Sequence, residues 1–371
     1  MKGIQGWIGL IWAVMAGSSS LWAQQSVNAP KYSNEFLKIG VGARAFGMGS
    51  TQTAVAQDVT AGYWNPAGLA ASDALLYPEL SLMHASYFAG IANYNYLGFT
   101  MPVDSGGQRR FGVSLIRMGI DDIPNTLRLI EPDGSINYDR LTSFSESQLA
   151  TLISYAWRVS RVRGLSLGGN VKIIYRGVGR FANAWGFGVD VGARYERDRF
   201  MAGLTWLDAT NTFNAWTFNT ETFEDEFINT GNVVPQNSLE ITRPTIRMGL
   251  GYDLRLGRRL SLLLALDNDV YLDGRRVGSL VSTDRFSLDP RAGAELALMN
   301  SQYRKVVFLR AGAYNVQRSI GTNTVESLGA FPTAGAGIVL RNFQLDYALA
   351  NIGNLTENLH THIVSLKFHI Q

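Results

Sequence analysis

The stretch Trp185-Gly-Phe-Gly-Val-Asp-Val-Gly-Ala-Arg-Tyr195 decides the fold of this 371-residue chain. A strand turns successive side chains to opposite faces. Trp185, Phe187, Val189, Val191, Ala193 and Tyr195 therefore share one face, and Gly186, Gly188, Asp190, Gly192 and Arg194 the other. The first face suits hydrocarbon and carries aromatic rings at both ends; the second suits water. Segments of roughly 10 residues that repeat this division are the signature of a transmembrane β-barrel.

The division recurs along the chain. Ile246, Met248, Leu250 and Tyr252 stand against Arg247, Gly249, Gly251 and Asp253, and Val364, Leu366, Phe368 and Ile370 against Ser365, Lys367 and His369. Further candidate strands lie at 76–88, 93–103, 110–118, 148–159, 164–175, 199–207, 260–270, 288–298, 305–314, 333–340 and 343–350. With 185–195, 245–254 and 360–370 the set comes to about 14, an even number as bacterial single-chain barrels have. Short polar links at 104–108, 160–163, 197–198, 255–258, 299–304 and 341–342 alternate with longer ones at 119–147, 177–184, 208–242, 271–287, 316–332 and 351–359. A barrel with short periplasmic turns and long external loops requires that parity, whereas a soluble sandwich does not. The expected fold is thus an all-β transmembrane antiparallel barrel with a periplasmic N-terminus, closed by pairing of the last strand with the first. The last strand also resembles the signal read by outer-membrane assembly machinery, although it ends in Gln371 rather than an aromatic residue.

Lys2, the apolar run 4–16 and the small-residue stretch up to Ala23 have the layout of a secretory signal peptide, with cleavage expected after Ala23. The run is shorter than the roughly 20 residues of a helical span. No later stretch supplies one, since 260–266 is ended by Asp267 and Asp269. Without cysteine the chain has neither a lipid-modified cysteine nor a disulfide framework. Its 46% hydrophobic content suits a soluble protein and a barrel with a polar lumen equally, so periodicity must decide. The net charge of +3, with signs interspersed, argues against a nucleic-acid partner and leaves outer-membrane lipid as the expected surroundings.

Between signal peptide and barrel lies Asn34-Glu-Phe-Leu-Lys-Ile-Gly-Val-Gly-Ala-Arg-Ala-Phe-Gly-Met-Gly-Ser50, and after it Ala61-Gly-Tyr-Trp-Asn-Pro-Ala-Gly-Leu69. The spacing of Gly40, Gly42 and Gly47 departs from a dinucleotide fingerprint and lacks its βαβ setting. Gly47 and Gly49 more simply permit close backbone approach, and Asn65-Pro66-Ala67-Gly68 reads as a turn. The pair Ala43-Arg-Ala-Phe-Gly-Met-Gly-Ser50 and Tyr63-Trp-Asn-Pro-Ala-Gly68 closely resembles the start of the PorV/PorQ group within the FadL-like outer-membrane proteins. The match is specific in this segment and extends further only through strand count and the C-terminal strand. It implies a 14-stranded barrel with an N-terminal hatch bearing an Asn-Pro-Ala motif, and so a division into 1–23, a hatch at 24–72 and a barrel at 73–371. Tyr63-Trp64 and Gly68 look more like the broad branch of the group than like its cargo shuttle. The resemblance implies an accessory, partner-binding component of protein secretion or surface attachment in a type IX-like system, with translocon or attachment-complex proteins as partners. The alternative it offers is a FadL-like channel for hydrophobic small molecules.

On the wet faces the charges Lys172, Arg176, Asp190, Arg194, Arg247, Asp253, Asp267, Asp269, Arg291, Glu295, Arg310 and Asp346 are expected to face the lumen. Their mixed signs favour pairing across the interior and with the hatch over a polar route or a headgroup site. Asp267 and Asp269 share a face without a partner base, and His84, His360, His362 and His369 lack the company of a metal site. No serine elbow is present. No enzyme activity, cofactor or metal is therefore expected. The longest link, 208–242, interleaves Phe213, Trp216, Phe218, Phe223 and Phe227 with acidic residues. It reads either as an external contact surface for a partner or hydrophobic ligand, or as a loop that folds over the barrel mouth and buries its own rings.

Overall fold

The structure, a computed structural model, describes residues 33–71, 77–87, 90–131, 133–229, 233–276, 279–320, 326–350 and 361–370. The expected signal peptide at 1–23 and the expected hatch positions before 33 lie outside them. The first strands are β1 (Glu79–Tyr87), β2 (Ala92–Pro102), β3 (Arg109–Asn125), β4 (Thr142–Arg158), β5 (Leu165–Val178) and β6 (Ala182–Arg197). Next come β7 (Phe200–Leu207), β8 (Thr212–Phe218), β9 (Ser238–Thr242), β10 (Thr245–Arg255), β11 (Leu260–Tyr271) and β12 (Val281–Ser282). The last are β13 (Ser287–Met299), β14 (Lys305–Ile320), β15 (Glu326–Leu340), β16 (Phe343–Ala350) and β17 (Thr361–His369).

Fourteen of these form one antiparallel ring in the order β1–β7, β10, β11, β13–β17. It closes where β17 pairs with β1, from Glu79 opposite His369 to Ser86 opposite His362. Closure results from the outward face. Trp185 and Phe187 remain 52% and 58% exposed while Asp190 and Arg194, on the same strand, are 1% exposed. A wall that is apolar outside belongs in hydrocarbon, where an unpaired amide edge costs several kcal/mol, and only a ring has no such edge. Among the described residues no helix is long and apolar enough to cross a membrane.

Three links differ from the sequence reading. The link 208–242 supplies wall at both of its ends: β8 pairs with β6 beyond the end of β7, and β9 pairs with β8 ahead of β10. Chain 200–218 is thus one long strand interrupted at 208–211, and 238–255 is its neighbour interrupted at Arg243 and Pro244. The link 316–332 shrinks to 321–325, because β14 runs on to Ile320 and β15 starts at Glu326 with Pro332 opposite Ala313. The link 119–147 shrinks likewise to 126–141. In the last two cases the ladder shifts register, beside Asp122 and Asn315, both of which have positive φ. A bulge adds a residue and reverses the parity of every position beyond it, so strict alternation stops being visible there although the strand continues.

Residues 33–71 fill the ring. They form a 3₁₀ turn at Glu35–Lys38, helix α1 (Ala43–Gly47), helix α2 (Ala61–Trp64) and a second 3₁₀ turn at Pro66–Ala70. Phe36, Phe46, Trp64 and Leu69 pack against inward Tyr94, Ile116, Leu152, Ile174 and Ile363. Elsewhere hatch backbone touches wall backbone directly. A Cβ on Gly312 would lie 2.2 Å from the Gly49 nitrogen, and one on Gly203 would lie 2.2 Å from the Thr53 carbonyl oxygen. We therefore expect Gly312→Val to destabilise the folded barrel by about 1–3 kcal/mol through overpacking, while Leu250→Val on the lipid face stays near neutral. Urea titration followed by the gel mobility of unheated protein measures both.

Candidate functional site

The hatch is pinned through the turn that the sequence singled out. Asn65 is fully buried; its side-chain oxygen accepts from the Ala67 N–H (3.2 Å) and so caps the 3₁₀ turn that Pro66 opens. Its amide donates to the Thr53 carbonyl (2.9 Å) and to the Ala193 carbonyl of β6 (3.1 Å), tying hatch to wall. Gly68 has no space for a side chain, since a Cβ would lie 2.3 Å from the Ala56 oxygen. Gly49 combines a φ of 60° with the backbone of Ala313 and Ala292 within 2.8 Å of a would-be Cβ. Gly47 lies against the Gly335 backbone, with a Cβ position 3.1 Å from that Cα.

Around this plug the inward charges meet in pairs. Arg44 of α1 holds Glu295 with two bonds (2.9 and 3.0 Å); Glu295 also accepts from Arg310 (2.7 Å), which reaches Asp346 (2.7 Å). Arg247 clasps Asp269 through two bonds (2.8 and 3.0 Å), Arg291 donates to the same carboxylate, and the Arg247 guanidinium lies 5.1 Å from the centre of the Trp64 ring. Asp267 accepts the Gln52 and Thr53 N–H groups (2.8 and 2.9 Å) and the Thr53 hydroxyl (2.7 Å). Lys172 bridges Asp190 (2.8 Å) and Asp208, while Arg194 donates to the Ala54 carbonyl (2.6 Å) and to Glu196 (2.7 Å). Arg176 pairs with Glu240 (3.0 Å), and Asp253 with Lys305 (2.9 Å). Among the described residues no group of His, Cys, Asp and Glu is arranged to hold a metal.

The hatch itself contributes titratable groups. Burial alone would raise the Asp58 carboxyl, but the Lys367 ammonium beside it and Arg44 outweigh that effect and hold it well below the usual carboxylate range. Burial pushes the Tyr63 phenol up to about 12, so it stays a neutral donor to the Leu37 carbonyl (2.5 Å).

Beside the hatch remains a cavity of about 40 Å³ with apolar walls from Leu37, Tyr63, Leu152, Leu207 and Tyr271 and polar ones from Lys172, Asp208, Arg247 and Asp269. That is about the room of a water or two. Leu207, Asp208, Thr242 and Thr245 place it at the interruption between β7–β8 and β9–β10. There Asp208 and Asn211 have φ of 53° and 60°, which short polar side chains tolerate, and Pro244 brings no N–H to the ladder. Asp208 turns inward, its N–H donating to Asp190 (2.8 Å) and its carboxylate accepting from Thr212 (2.5 Å).

The aromatic residues of 208–242 divide between the two sides of the wall. Phe213 lies on the outer face, 42% exposed and paired with Phe187. Trp216 donates to Glu240 (2.7 Å), lies under the Arg176 guanidinium (4.8 Å) and stacks on Phe218. Phe223 is buried between Phe181 and Phe227. Trp216 with Phe218 and Phe223 with Phe227 thus pack on one another, while Phe213 remains exposed. Sequence reasoning passed over Arg44, Asp58 and Asp208, which complete the ion pairs, and did not nominate Lys367. Alternation had already put Lys367 on the wet face of the last strand, a usable signal; Asp208, in a presumed loop, offered none.

No protein-family model matches the chain, and no curated protein matches it by sequence. Solved structures do match in fold. The Pseudomonas putida toluene transporter TodX is 14% identical, with 89% of this chain and 98% of that one covered and a TM-score of 0.53. The CymD monoaromatic hydrocarbon channel is 11% identical over 90% and 98% of the chains, TM-score 0.54. The Ralstonia pickettii toluene transporter TbuX is 13% identical over 90% and 99%, TM-score 0.51. The chain therefore shares its fold with these barrels, and a 14-stranded ring around an N-terminal segment is the architecture that the FadL-like resemblance implied. Nothing in these likenesses bears on the PorV/PorQ part of the resemblance.

The Asp58–Lys367 pair has a signed pH consequence. A carboxyl held low in the folded state adds stability that is fully present above its unfolded value of about 4 and is lost as pH falls through the folded value. Protease resistance of the hatch should accordingly be level between pH 8 and 5, on the order of the range where this carboxyl is ionised in both states, and decline in stronger acid. Asp58→Asn strands the Lys367 ammonium and should cost about 3 kcal/mol at neutral pH, with a shallower acid decline than the parent. Limited proteolysis across pH, parent against variant, reads the difference.

Proposed function

We propose that this protein is a channel of a Gram-negative outer membrane for hydrophobic small molecules, with its N-terminus on the periplasmic side. The observation that carries this reading is the cavity placed at a double interruption of the wall. Two neighbouring strands lose their ladder at the same height, around Asp208 and Pro244, and the apolar side of the cavity lies directly inside. A compound entering beneath the 208–242 segment would meet the rings of Trp216 and Phe223, then the cavity, and leave sideways through the interruption or past the hatch. The ion pairs around the hatch brace the plug rather than conduct. In the folded state described, the cavity is smaller than an aromatic ring, so passage requires 208–211 or the hatch to shift. The fold shared with toluene transporters and a monoaromatic hydrocarbon channel supports the same reading.

A second reading, an accessory component of protein secretion, rests on the resemblance of the hatch sequence around Ala43 to Ser50. The two separate experimentally. Cells lacking other hydrocarbon channels should accumulate labelled toluene faster when they carry this chain. Leu207→Trp, which fills the cavity wall, should cut that rate roughly tenfold, an added barrier of about 1.4 kcal/mol. Absence of uptake, together with a large secretion partner recovered in mild detergent, would overturn the channel in favour of the secretion role.

A further inference from the structure

The outward wall is not uniformly apolar. On β6 it stays apolar from Tyr195 to Trp185, whereas on β2 it stops after Met101, Phe99 and Leu97. Register places three successive outward rows across β17, β1, β2 and β3. The first is Leu366, Leu82, Leu97 and Leu115; the second is Val364, His84, Asn95 and Arg117; the third is His362, Ser86, Asn93 and Gly119. A leucine row thus gives way to a polar patch on the side of the barrel that carries the longer links. His84 and Asn95 are joined at 2.8 Å, and His362 is joined to the Tyr347 hydroxyl at 2.7 Å. Arg117 is exposed and makes no hydrogen bond or ion pair among the described residues.

Below Arg117 and His84 runs an open groove of about 420 Å³ walled by Leu82, Leu97, Leu115, Val364 and Leu366. No Asp or Glu lines it. A guanidinium facing lipid is tolerated only near a headgroup, and a planar fork of donors matches phosphate oxygens. An apolar trough with a guanidinium at its head has the shape and charge complement of one amphiphile.

We propose that this face binds one phosphorylated lipid of the surrounding bilayer, an acyl chain in the leucine groove and the phosphate against Arg117 and His84. The site rests on the barrel's place in a bilayer and is independent of what the channel carries.

Full-length protein in neutral detergent is titrated with phosphatidylglycerol, with diacylglycerol of the same chains and with inorganic phosphate, and bound lipid is read by native mass spectrometry. One retained phosphatidylglycerol, weak diacylglycerol and no displacement by inorganic phosphate are expected. Arg117→Gln should weaken retention about tenfold and Arg117→Lys should keep most of it, the loss of one charge-assisted contact. Heat-dependent gel mobility confirms that each variant is folded. Equal retention by parent and Arg117→Gln, or diacylglycerol bound as well as phosphatidylglycerol, overturns the site. A photoreactive residue at Leu97 in cells should give a lipid adduct; a protein adduct there overturns it in favour of a membrane partner. A chain that enters vesicles without lipid selectivity removes this site alone, whereas one that fails to enter them removes the bilayer reading as well.

Discussion

The pairing of β17 with β1 is the constraint on which the rest of this molecule depends. An apolar outer face forces the sheet into hydrocarbon, and hydrocarbon forces the sheet to close. Closure with 14 strands then sets a lumen too wide for wall side chains to fill, as they do in barrels of about eight strands. Residues 33–71 occupy that space, and where they press hardest the wall has glycine, as at Gly203 and Gly312. Lipid outside and plug inside are two consequences of one ring.

A lumen filled by protein imposes a second condition, that each buried charge finds a partner. Arg310 and Glu295, 4% and 3% exposed, meet that condition together with Arg44, and Arg247 and Asp269 meet it through two bonds. Such pairs add little net stability compared with apolar residues of equal size, because desolvation offsets attraction. Losing one member is costly all the same, so the network fixes where the plug sits more than how strongly the barrel holds. Gln52 and Thr53, both held by Asp267, show this most directly: a single carboxylate sets the path of two consecutive hatch residues.

Much of this was legible in the sequence because a strand has a period of two. The lipid face of 185–195 and the wet face of 245–254 could be read off directly, and so could the number of strands in the ring. Bulges were not legible: at Asp122 and Asn315 an extra residue reverses parity, and the strands appeared to end where they only changed register. The wall character of Thr212–Phe218 was hidden for a related reason, since the interruption before it imitates the end of a strand. Pairing partners were also out of reach, because alternation tells which way a side chain points and not what it meets. Lys367 was visible as inward, but its bond to Asp58 belongs to the folded plug.

The distance along the chain between those partners carries a further consequence. Arg44 and Glu295 are 251 positions apart, and Asp58 and Lys367 are 309 apart. An early segment of the chain is therefore held in part by its last strands, and these two pairs can form only once β13 and β17 are in place. Loops of that length close slowly. The pinning of the plug is complete only when β17 has joined the ring, so a fully anchored hatch reports a closed wall.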